Sequence, residues 1–212
     1  MSGLPDAWLA QDPLPAEPVP IVERWLGEAF ADPAQDNPHA VALATADADG
    51  RPSVRMVLCN AIDVGRGAFT MYTNRESRKG RAIAHEPRAA LAFRWPGRQV
   101  RVEGQVEWTP DAACDAYFAT RPLEARLGAW ASRQSEPVAS RAVLVEALAA
   151  MARRFDAHEE TDVVPRPPHW GGFTLVAESV ELWVSRPGRI HDRAVWRRAR
   201  EGGDWSITRL QP

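Results

Sequence analysis

The chain has little cysteine, no long apolar run and no marked excess of charge of one sign, and each absence excludes a class of protein. Its two cysteines, Cys59 and Cys114, match no metal-site spacing, so we expect reduced thiols and a cytoplasmic protein. No apolar run approaches the ~20 residues of a membrane span. The formal net charge of −2 does not suggest a general nucleic-acid binder. The N-terminus lacks a basic region and is broken by prolines, so we expect no signal peptide.

What is present is typical of an ordinary globular domain. The 212 residues are 45% hydrophobic and 25% charged, which fits one domain with or without extensions. Nearly all of the 26 basic residues are arginine, a side chain that binds phosphate and carboxylate through a fixed fork. The nine tryptophans are many for this length; indoles line sites for flat ligands, but they also fill cores.

The order of the predicted elements indicates an α+β protein built on a closed antiparallel barrel with flanking helices. Residues 1–20 are rich in proline and predict a flexible N-terminal arm, and residues 21–212 predict a single domain. Predicted helices are Ile21 to Phe30, a short one ending near His85, Pro110 to Ala131 and Ala139 to Phe155. Predicted strands are Ala40 to Ala46, Ser53 to Asn60, Gly67 to Thr73, Arg88 to Trp95, Arg98 to Trp108, Phe173 to Val176, Ser179 to Ser185, Ile190 to Arg197 and Trp205 to Arg209.

Arg55 is a charge inside a strongly apolar predicted strand. Val54, Met56 and Leu58 share one face of that strand, and Arg55 and Val57 lie on the other. A charge in such a place needs a partner. The strand alone leaves open whether the partner is a carboxylate or a bound anion.

Arg78 and Lys79 fall in the first turn of a predicted short helix that Asn74 or Ser77 could cap. Cations are disfavoured there by the helix dipole. They make sense if an anion is bound, because free N–H groups and the dipole attract phosphate. The alternative is a solvated, charged turn.

Tyr117, Arg121 and Ala125 recur every four residues, on one face of a predicted helix. A tyrosine and an arginine placed this way could grip a phosphate. An ordinary surface pair is the alternative.

The C-terminal tail carries Arg189, His191 and Arg193 at alternate positions. If this segment is extended, all three side chains point to one face, which suits an anionic, planar ligand. The alternative is an exposed basic edge strand.

Taken together, the chain strongly resembles the pyridoxamine 5′-phosphate oxidase family, the FMN-dependent split-barrel flavoproteins. The resemblance runs from about Trp25 to Pro212, and its specificity lies in the order and spacing of the blocks. These are RMVL at 55–58, MYTNRESRKG at 71–80, RQV at 98–100, YFATRP at 117–122, LGAWASRQS at 127–135, WGG at 170–172, ELW at 181–183, GRIHDR at 188–193 and RLQP at 209–212.

The resemblance implies FMN as the cofactor and a homodimer with two flavin sites made across the interface. By position, the flavin contacts fall on Arg55, Met56, Val57, Leu58, Tyr72, Thr73, Arg78, Lys79, Gln99, Gln134, Ser135, Trp183 and Arg193. Gln99 and Gln134 have amides that can donate to and accept from the polar edge of the isoalloxazine.

On the substrate side the chain departs from the family pattern. The family holds the substrate phosphate with Lys, Tyr, Arg and Ser; Tyr117 and Arg121 are kept here, but Asn60 stands at the Lys position and Ala125 at the Ser position. Arg189 and His191, which flank the substrate ring in the family and are our candidate catalytic residues, are retained. A similar loss of the Lys occurs in the phenazine-biosynthesis oxidases.

Three functions follow from the resemblance. The first is an oxidase of pyridoxamine or pyridoxine 5′-phosphate, with hydride transfer from the substrate to flavin N5 and reoxidation by O₂. The second is a specialised paralogue that oxidises another flat metabolite, which Asn60 and Ala125 favour. The third is a non-catalytic flavin-binding protein, against which the retained Arg189 and His191 count.

Overall fold

One antiparallel sheet, curled into a split half-barrel, organises the fold of the computed structural model, which describes residues 6–10 and 12–212. In these ranges the helices are α1 (Val19–Ala31), α2 (Arg78–His85), α3 (Asp111–Ala119), α4 (Leu123–Ala131) and α5 (Arg141–Phe155). The strands are β1 (Ala40–Ala46), β2 (Pro52–Leu58), β3 (Ala61–Asp63), β4 (Ala68–Asn74), β5 (Arg88–Trp95), β6 (Arg98–Trp108), β7 (Trp170–Val184), β8 (Asp192–Arg197) and β9 (Ser206–Arg209). The α+β split-barrel class expected from the sequence is confirmed.

The sheet divides along its longest strand, β7. The strand order is β2-β1-β5-β6-β7-β4-β3, and β8 and β9 branch from β7. The first half of β7 pairs with β4, its second half pairs with β8, and β6 pairs along its other edge. At the division the register shifts between Glu103 and Gly104, so β7 carries an extra residue there. Such a bulge bends the strand and increases its twist, which lets one strand serve both halves.

The core fills the inside of the curled sheet. Strand residues alternate between the two faces, and one face of β1, β4, β5 and β6 is buried. Phe69, Phe93 and Leu182 are among the side chains fully removed from solvent. Helix α1 adds Val22 and Trp25 to the same cluster.

The helix predicted over Pro110 to Ala131 is two helices. Pro122 ends the first and precedes α4, because proline supplies no N–H and its ring clashes with the preceding turn of a helix. Tyr117 thus lies in α3, Arg121 in the connection and Ala125 in α4. The prediction that the three share one helical face was wrong, although they still meet, as described below.

The tail is not extended from Arg189 to Arg193, so that prediction was also wrong. Residues Pro187–Arg189 form a 3₁₀ turn, with φ of 68° at Gly188 and 62° at Arg189, and β8 begins only at Asp192. Strand alternation therefore applies to Arg193 but not to the two residues before it. The two predicted strands 173–176 and 179–185 are instead one strand, β7, which continues through the bulge.

The described part of the predicted N-terminal arm packs on the domain. Leu9 is fully buried, and the Asp6 carboxylate accepts from Arg98 Nε over 2.6 Å. Trp196 Nε1 donates to the Pro15 carbonyl oxygen over 2.8 Å, which ties the segment to β8. No helix in the described ranges is long and apolar enough to cross a membrane.

Candidate functional site

A cavity of about 490 Å³ opens between β2, β4 and the α3–α4 pair. It collects eleven of the residues that the sequence singled out. They are Met56, Val57, Leu58, Asn60, Tyr72, Thr73, Lys79, Tyr117, Arg121, Ala125 and Gln134. Segments far apart in the chain thus form one wall, and the cavity is our candidate site.

A cationic cluster, Arg55, Arg78 and Lys79, adjoins the cavity at Lys79, and the hydrogen-bond acceptors of the Arg55 and Lys79 side chains are neutral. Arg55 donates to the Leu43 carbonyl oxygen over 3.1 Å and to Thr45 Oγ1 over 2.9 Å. Burial, and then the charge of Arg78, lower the pKa of Arg55. The question that the sequence left open at Arg55 is answered in part, since among the described residues it donates to a carbonyl and two hydroxyls rather than to a carboxylate.

Lys79 completes this cluster. Its Nζ donates to Gln134 Oε1 over 2.7 Å and to Thr73 Oγ1 over 3.0 Å. Burial, and then the charge of Arg55, lower the pKa of Lys79 from 10.5 to about 8. The lowered pKa values of Arg55 and Lys79 show that positive charge is energetically unfavourable here. A bound anion would stabilise it.

A tight turn places the cluster at the start of α2. Ser77 caps the helix, accepting from the Gly80 N–H over 3.3 Å, as the sequence predicted. A Cβ at Gly80 would lie 2.0 Å from the Arg75 carbonyl oxygen, so only glycine allows the turn to close. The N–H groups of Arg78 and Gly80 donate to Ser135 Oγ and Ser77 Oγ, so the positive charge at this helix start comes mainly from the side chains of Arg78 and Lys79.

The segment after α4 closes over this helix start. Ser135 has a φ of 76° and accepts the Arg78 N–H at its Oγ over 3.1 Å. The neighbouring Gln134 reaches Lys79 from the same segment. Residues about 55 positions apart in sequence are thereby joined beside the cationic cluster.

The opposite end of the cavity is lined by a stack of parallel aromatic rings. The Tyr72 ring lies 3.9 Å from that of Tyr117 and 5.3 Å from that of Trp170, with interplanar angles of 7° and 3°. Gly172 allows this approach, because a Cβ there would lie 2.9 Å from the Tyr72 ring. Trp170 lines the cavity but was not among the predicted site residues, although it belongs to the recognisable WGG block.

Arg121 supplies the positive charge at the aromatic end. Its guanidinium carbon lies 4.8 Å from the centre of the Trp170 ring and 5.4 Å from that of Phe118. Its Nη1 is buried and has no hydrogen-bond partner among the described residues. Burial lowers the pKa of Arg121. A buried donor without a partner is costly, so this nitrogen is suited to an acceptor on a ligand.

Eight predicted residues do not line the cavity. Arg55, Arg78 and Ser135 adjoin it beside Lys79 and Gln134, and with the lining residues they make a first set. The other five form a second set: Gln99, Trp183, Arg189, His191 and Arg193. Gln99, Trp183 and Arg193 are register partners across β6, β7 and β8, so they share one face of the sheet. The His191 ring lies 4.6 Å from the Trp183 ring. One chain therefore presents the predicted site residues as two separate sets.

A buried carboxylate holds Arg193, one member of the second set, in place. Glu181, with a side chain 8% exposed, accepts from Arg193 Nη2 over 2.7 Å and from Arg101 Nη1 over 3.1 Å. Arg193 also donates from Nη1 to the Gln211 carbonyl oxygen over 3.0 Å. Glu181 was not among the predicted site residues, although it begins the ELW block. Its role depends on cross-strand geometry that the sequence does not display.

Comparison with known proteins places the chain in a family. The family model described as "Pyridoxamine 5'-phosphate oxidase" matches residues 28–153. The model described as "Pyridoxine 5'-phosphate oxidase C-terminal dimerisation region" matches residues 170–212.

Individual relatives agree. The chain is 50% identical to a pyridoxine/pyridoxamine 5′-phosphate oxidase of Anaeromyxobacter dehalogenans, covering 94% of this chain and 100% of the relative. It is 48% identical to one of Cupriavidus necator, covering 96% and 93%. The crystal structure of PhzG from Burkholderia lata, in complex with tetrahydrophenazine-1-carboxylic acid, is 30% identical with a TM-score of 0.85, covering 100% of this chain and 99% of that one. The chain therefore belongs to the pyridoxamine 5′-phosphate oxidase family of oxidoreductases.

Proposed function

We propose that this protein is an FMN-dependent oxidase that acts on pyridoxine or pyridoxamine 5′-phosphate. The observation that carries the proposal is the cluster of Arg55, Arg78 and Lys79, in which the charged ends of Arg55 and Lys79 donate only to neutral acceptors among the described residues. A phosphate dianion fits this positive charge and the positive end of the α2 dipole. The named relatives support the choice of substrate.

In this proposal the first set binds and orients the cofactor. Arg55, Arg78 and Lys79 hold the phosphate of FMN, and Gln134 fixes Lys79 toward it. When bound, FMN supplies the hydride acceptor, and O₂ then takes the two electrons as H₂O₂. The chain's own part would be to bind the substrate and orient it next to the cofactor.

The second set completes the site from another copy of the chain. Gln99, Trp183 and Arg193 lie on the outer face of the sheet and do not line the cavity of their own chain. A homodimer would bring the second set of one chain to the cavity of the other. The exposed apolar side chains Val54 and Met56, 68% and 64% exposed on β2, are suited to being covered by such a partner.

The substrate lies toward the aromatic end. Arg121 Nη1 has no partner among the described residues and is available to the substrate phosphate, and the Tyr117 hydroxyl is beside it in the cavity. Arg189 and His191, from the second set, would flank the substrate ring. Asn60 and Ala125 contribute no charge to this end.

A specialised paralogue is the second candidate, and the contact between Asn60 and Tyr117 favours it. Asn60 Nδ2 donates to Tyr117 Oη over 2.7 Å, so the Tyr117 hydroxyl oxygen already accepts one hydrogen bond within the protein. The anion at this end then meets one full charge, that of Arg121. A flat carboxylate, such as the ligand in the PhzG structure, matches a single charge as well as a phosphate does.

Purified protein incubated with FMN should turn yellow and bind one FMN per chain. Pyridoxine 5′-phosphate added without oxygen should then bleach the flavin, and air should restore the colour with one H₂O₂ per aldehyde formed. Bleaching by a tricyclic dihydro-carboxylate but not by pyridoxine 5′-phosphate would favour the paralogue. A protein that binds FMN but is bleached by neither substrate would refute the oxidase proposal, and one that binds no FMN would refute the cofactor.

A further inference from the structure

The loop between β7 and β8 is closed at its base by an ion pair. Arg186 Nε donates to Asp192 Oδ2 over 2.5 Å, and their side chains are only 9% and 20% exposed. Arg186 Nη2 also donates to the Asp6 carbonyl oxygen over 3.2 Å. One guanidinium thus fixes both ends of the loop and joins it to the N-terminal segment.

The loop needs such a constraint because two consecutive residues are left-handed. Gly188 and Arg189 have φ of 68° and 62°. Glycine adopts this conformation freely, but for arginine it costs ~1–2 kcal/mol. Strained backbone of this kind persists where its surroundings hold it in place. The ion pair supplies that hold within three residues of Arg189.

The same residue sets the direction of the His191 imidazole. The backbone N–H of Arg186 donates to His191 Nδ1 over 3.1 Å. An Nδ1 that accepts a hydrogen bond carries no hydrogen, so the neutral ring has its hydrogen on Nε2. Nε2 is therefore the atom through which the neutral ring can donate. The ring itself packs against Trp183.

We infer that Arg186 is a positioning residue: it holds the loop closed and keeps His191 as an Nε2–H donor toward the substrate. The inference rests on the proposed function, in which His191 flanks the substrate ring. Arg186 itself touches neither substrate nor flavin in this account. Its action passes through Asp192, the Asp6 carbonyl group and His191.

Proton-coupled ¹⁵N NMR of ¹⁵N-histidine-labelled protein tests the inference without any assay of activity. The chain has five histidines, and His191→Gln identifies the signals of His191. The wild-type ring should show a pyridine-type Nδ1 and a pyrrole-type Nε2 at a pH where it is neutral. In Arg186→Gln the two nitrogens should move toward averaged shifts, because the loop is no longer held. Asp192→Asn removes the same ion pair at its more exposed residue. It is therefore the second variant to measure if Arg186→Gln does not fold.

Kinetics supplies the second readout. Arg186→Gln should lower kcat with pyridoxine 5′-phosphate by about ten- to a hundredfold, the cost of misplacing a group near the reacting atoms, while FMN affinity is unchanged. Arg197→Gln, at an exposed arginine of β8, is the matched control and should match wild type in both kcat and FMN affinity.

An Nδ1–H tautomer in the wild type would overturn the inference. Unchanged His191 signals in both Arg186→Gln and Asp192→Asn would also overturn it, whatever the activity. The NMR result stands even if the oxidase proposal fails.

Discussion

Asn60 Nδ2 lies 2.7 Å from the Tyr117 hydroxyl oxygen and donates to it. The hydroxyl accepts this bond and keeps its own hydrogen, so it can still donate to a ligand. Asn60 itself is neutral, and its amide donates one hydrogen bond within the protein rather than to a ligand. The aromatic end of the cavity therefore relies on Arg121 for its positive charge, and a residue with a longer, charged side chain at position 60 would change that balance.

Asn60→Lys with Ala125→Ser should improve turnover of pyridoxine 5′-phosphate. The two changes add a charge and a hydroxyl beside Tyr117 and Arg121, which together contact the substrate away from the reacting carbon. They should therefore lower KM more than they raise kcat. We expect kcat/KM to rise about tenfold or more, since each ~1.4 kcal/mol of added binding is tenfold.

Asn60→Gln is the control for this pair, because it changes length without adding charge. Steady-state oxygen consumption measures all the variants. A wild-type KM that is already low and that the double change leaves unaltered would mean that the substrate phosphate is held without a lysine, and the argument for a changed substrate would be wrong.

Flavin affinity should fall as pH rises above about 8. The pKa of Lys79 is lowered to about 8, so the cofactor-free protein loses this charge through that region. Bound phosphate favours the protonated amine, so Kd for FMN should rise with pH by at most ~tenfold per pH unit. Fluorescence titration of FMN between about pH 7 and pH 9.5 measures the effect.

Lys79→Arg is the matched variant for this titration, because an arginine keeps its charge over the whole range. Its FMN affinity should show little dependence on pH.

The stability of the cofactor-free protein should change with pH in the opposite direction to its FMN affinity. The pKa of Lys79 in the folded protein lies below the unfolded value of 10.5, so between these two values the unfolded chain binds more protons. Protonated Lys79 therefore opposes folding of the cofactor-free protein, and this contribution to stability should increase from about pH 8 upward. Lys79 is the only lysine, so ¹³C-lysine NMR follows its titration directly. A titration near 10.5 would contradict both expectations.

Glu181→Gln should weaken FMN binding without a large loss of stability. The carboxylate accepts from both Arg193 and Arg101, and the amide that replaces it keeps the shape but cannot accept from both. Arg193 then loses its fixed direction. We expect Kd for FMN to rise about tenfold, the effect of losing one hydrogen bond between charged groups. Glu103→Gln, which removes the exposed partner of the same Arg101, should leave Kd unchanged. Equal effects of the two variants would show that Glu181 has no special role.

Gly104→Ala should destabilise the fold at the bulge where the sheet divides. A Cβ at Gly104 would lie 1.9 Å from the backbone carbonyl oxygen of Val176, and a backbone atom cannot move aside cheaply. We expect a loss of ~3 kcal/mol or more in the free energy of unfolding, at the upper end for overpacked sites. Gly27→Ala in α1 is the control: nothing lies within 4 Å of its Cβ, and it should stabilise by ~0.5–1 kcal/mol. Urea denaturation measures both, and similar values would contradict the account of the bulge.

The sequence predicted best where a local pattern determines the structure. Strand β1 was predicted to the residue, because it is an apolar run of seven residues that ends at a turn signal. The break at Pro122 was missed even though proline is a signal for it, because the apolar spacing continues across the break. The turn at Gly188 and Arg189 was missed because arginine does not normally adopt a positive φ. What permits it is the contact of Arg186 with Asp192, which no periodicity reveals.

The residues of the candidate site were also predicted where a local block of sequence identified them, and their arrangement in space was not. The blocks of sequence that resemble the family named most of the cavity's lining residues. They did not reveal that Gln99, Trp183 and Arg193 lie outside the cavity, since the two sets are separated by the fold rather than by the sequence.

The most direct test of a site completed by two copies is subunit complementation. Lys79→Ala impairs the first set and Arg193→Ala the second, so each homodimer should bind FMN poorly and show little activity. In a heterodimer of the two, one site receives both changes and the other receives neither. Co-expressed with separate affinity tags and purified through both, the heterodimer should bind one FMN tightly per dimer and regain about half of the wild-type activity per dimer, since one of its two sites is intact. A heterodimer as defective as its parents would place both sets within one chain and contradict the account.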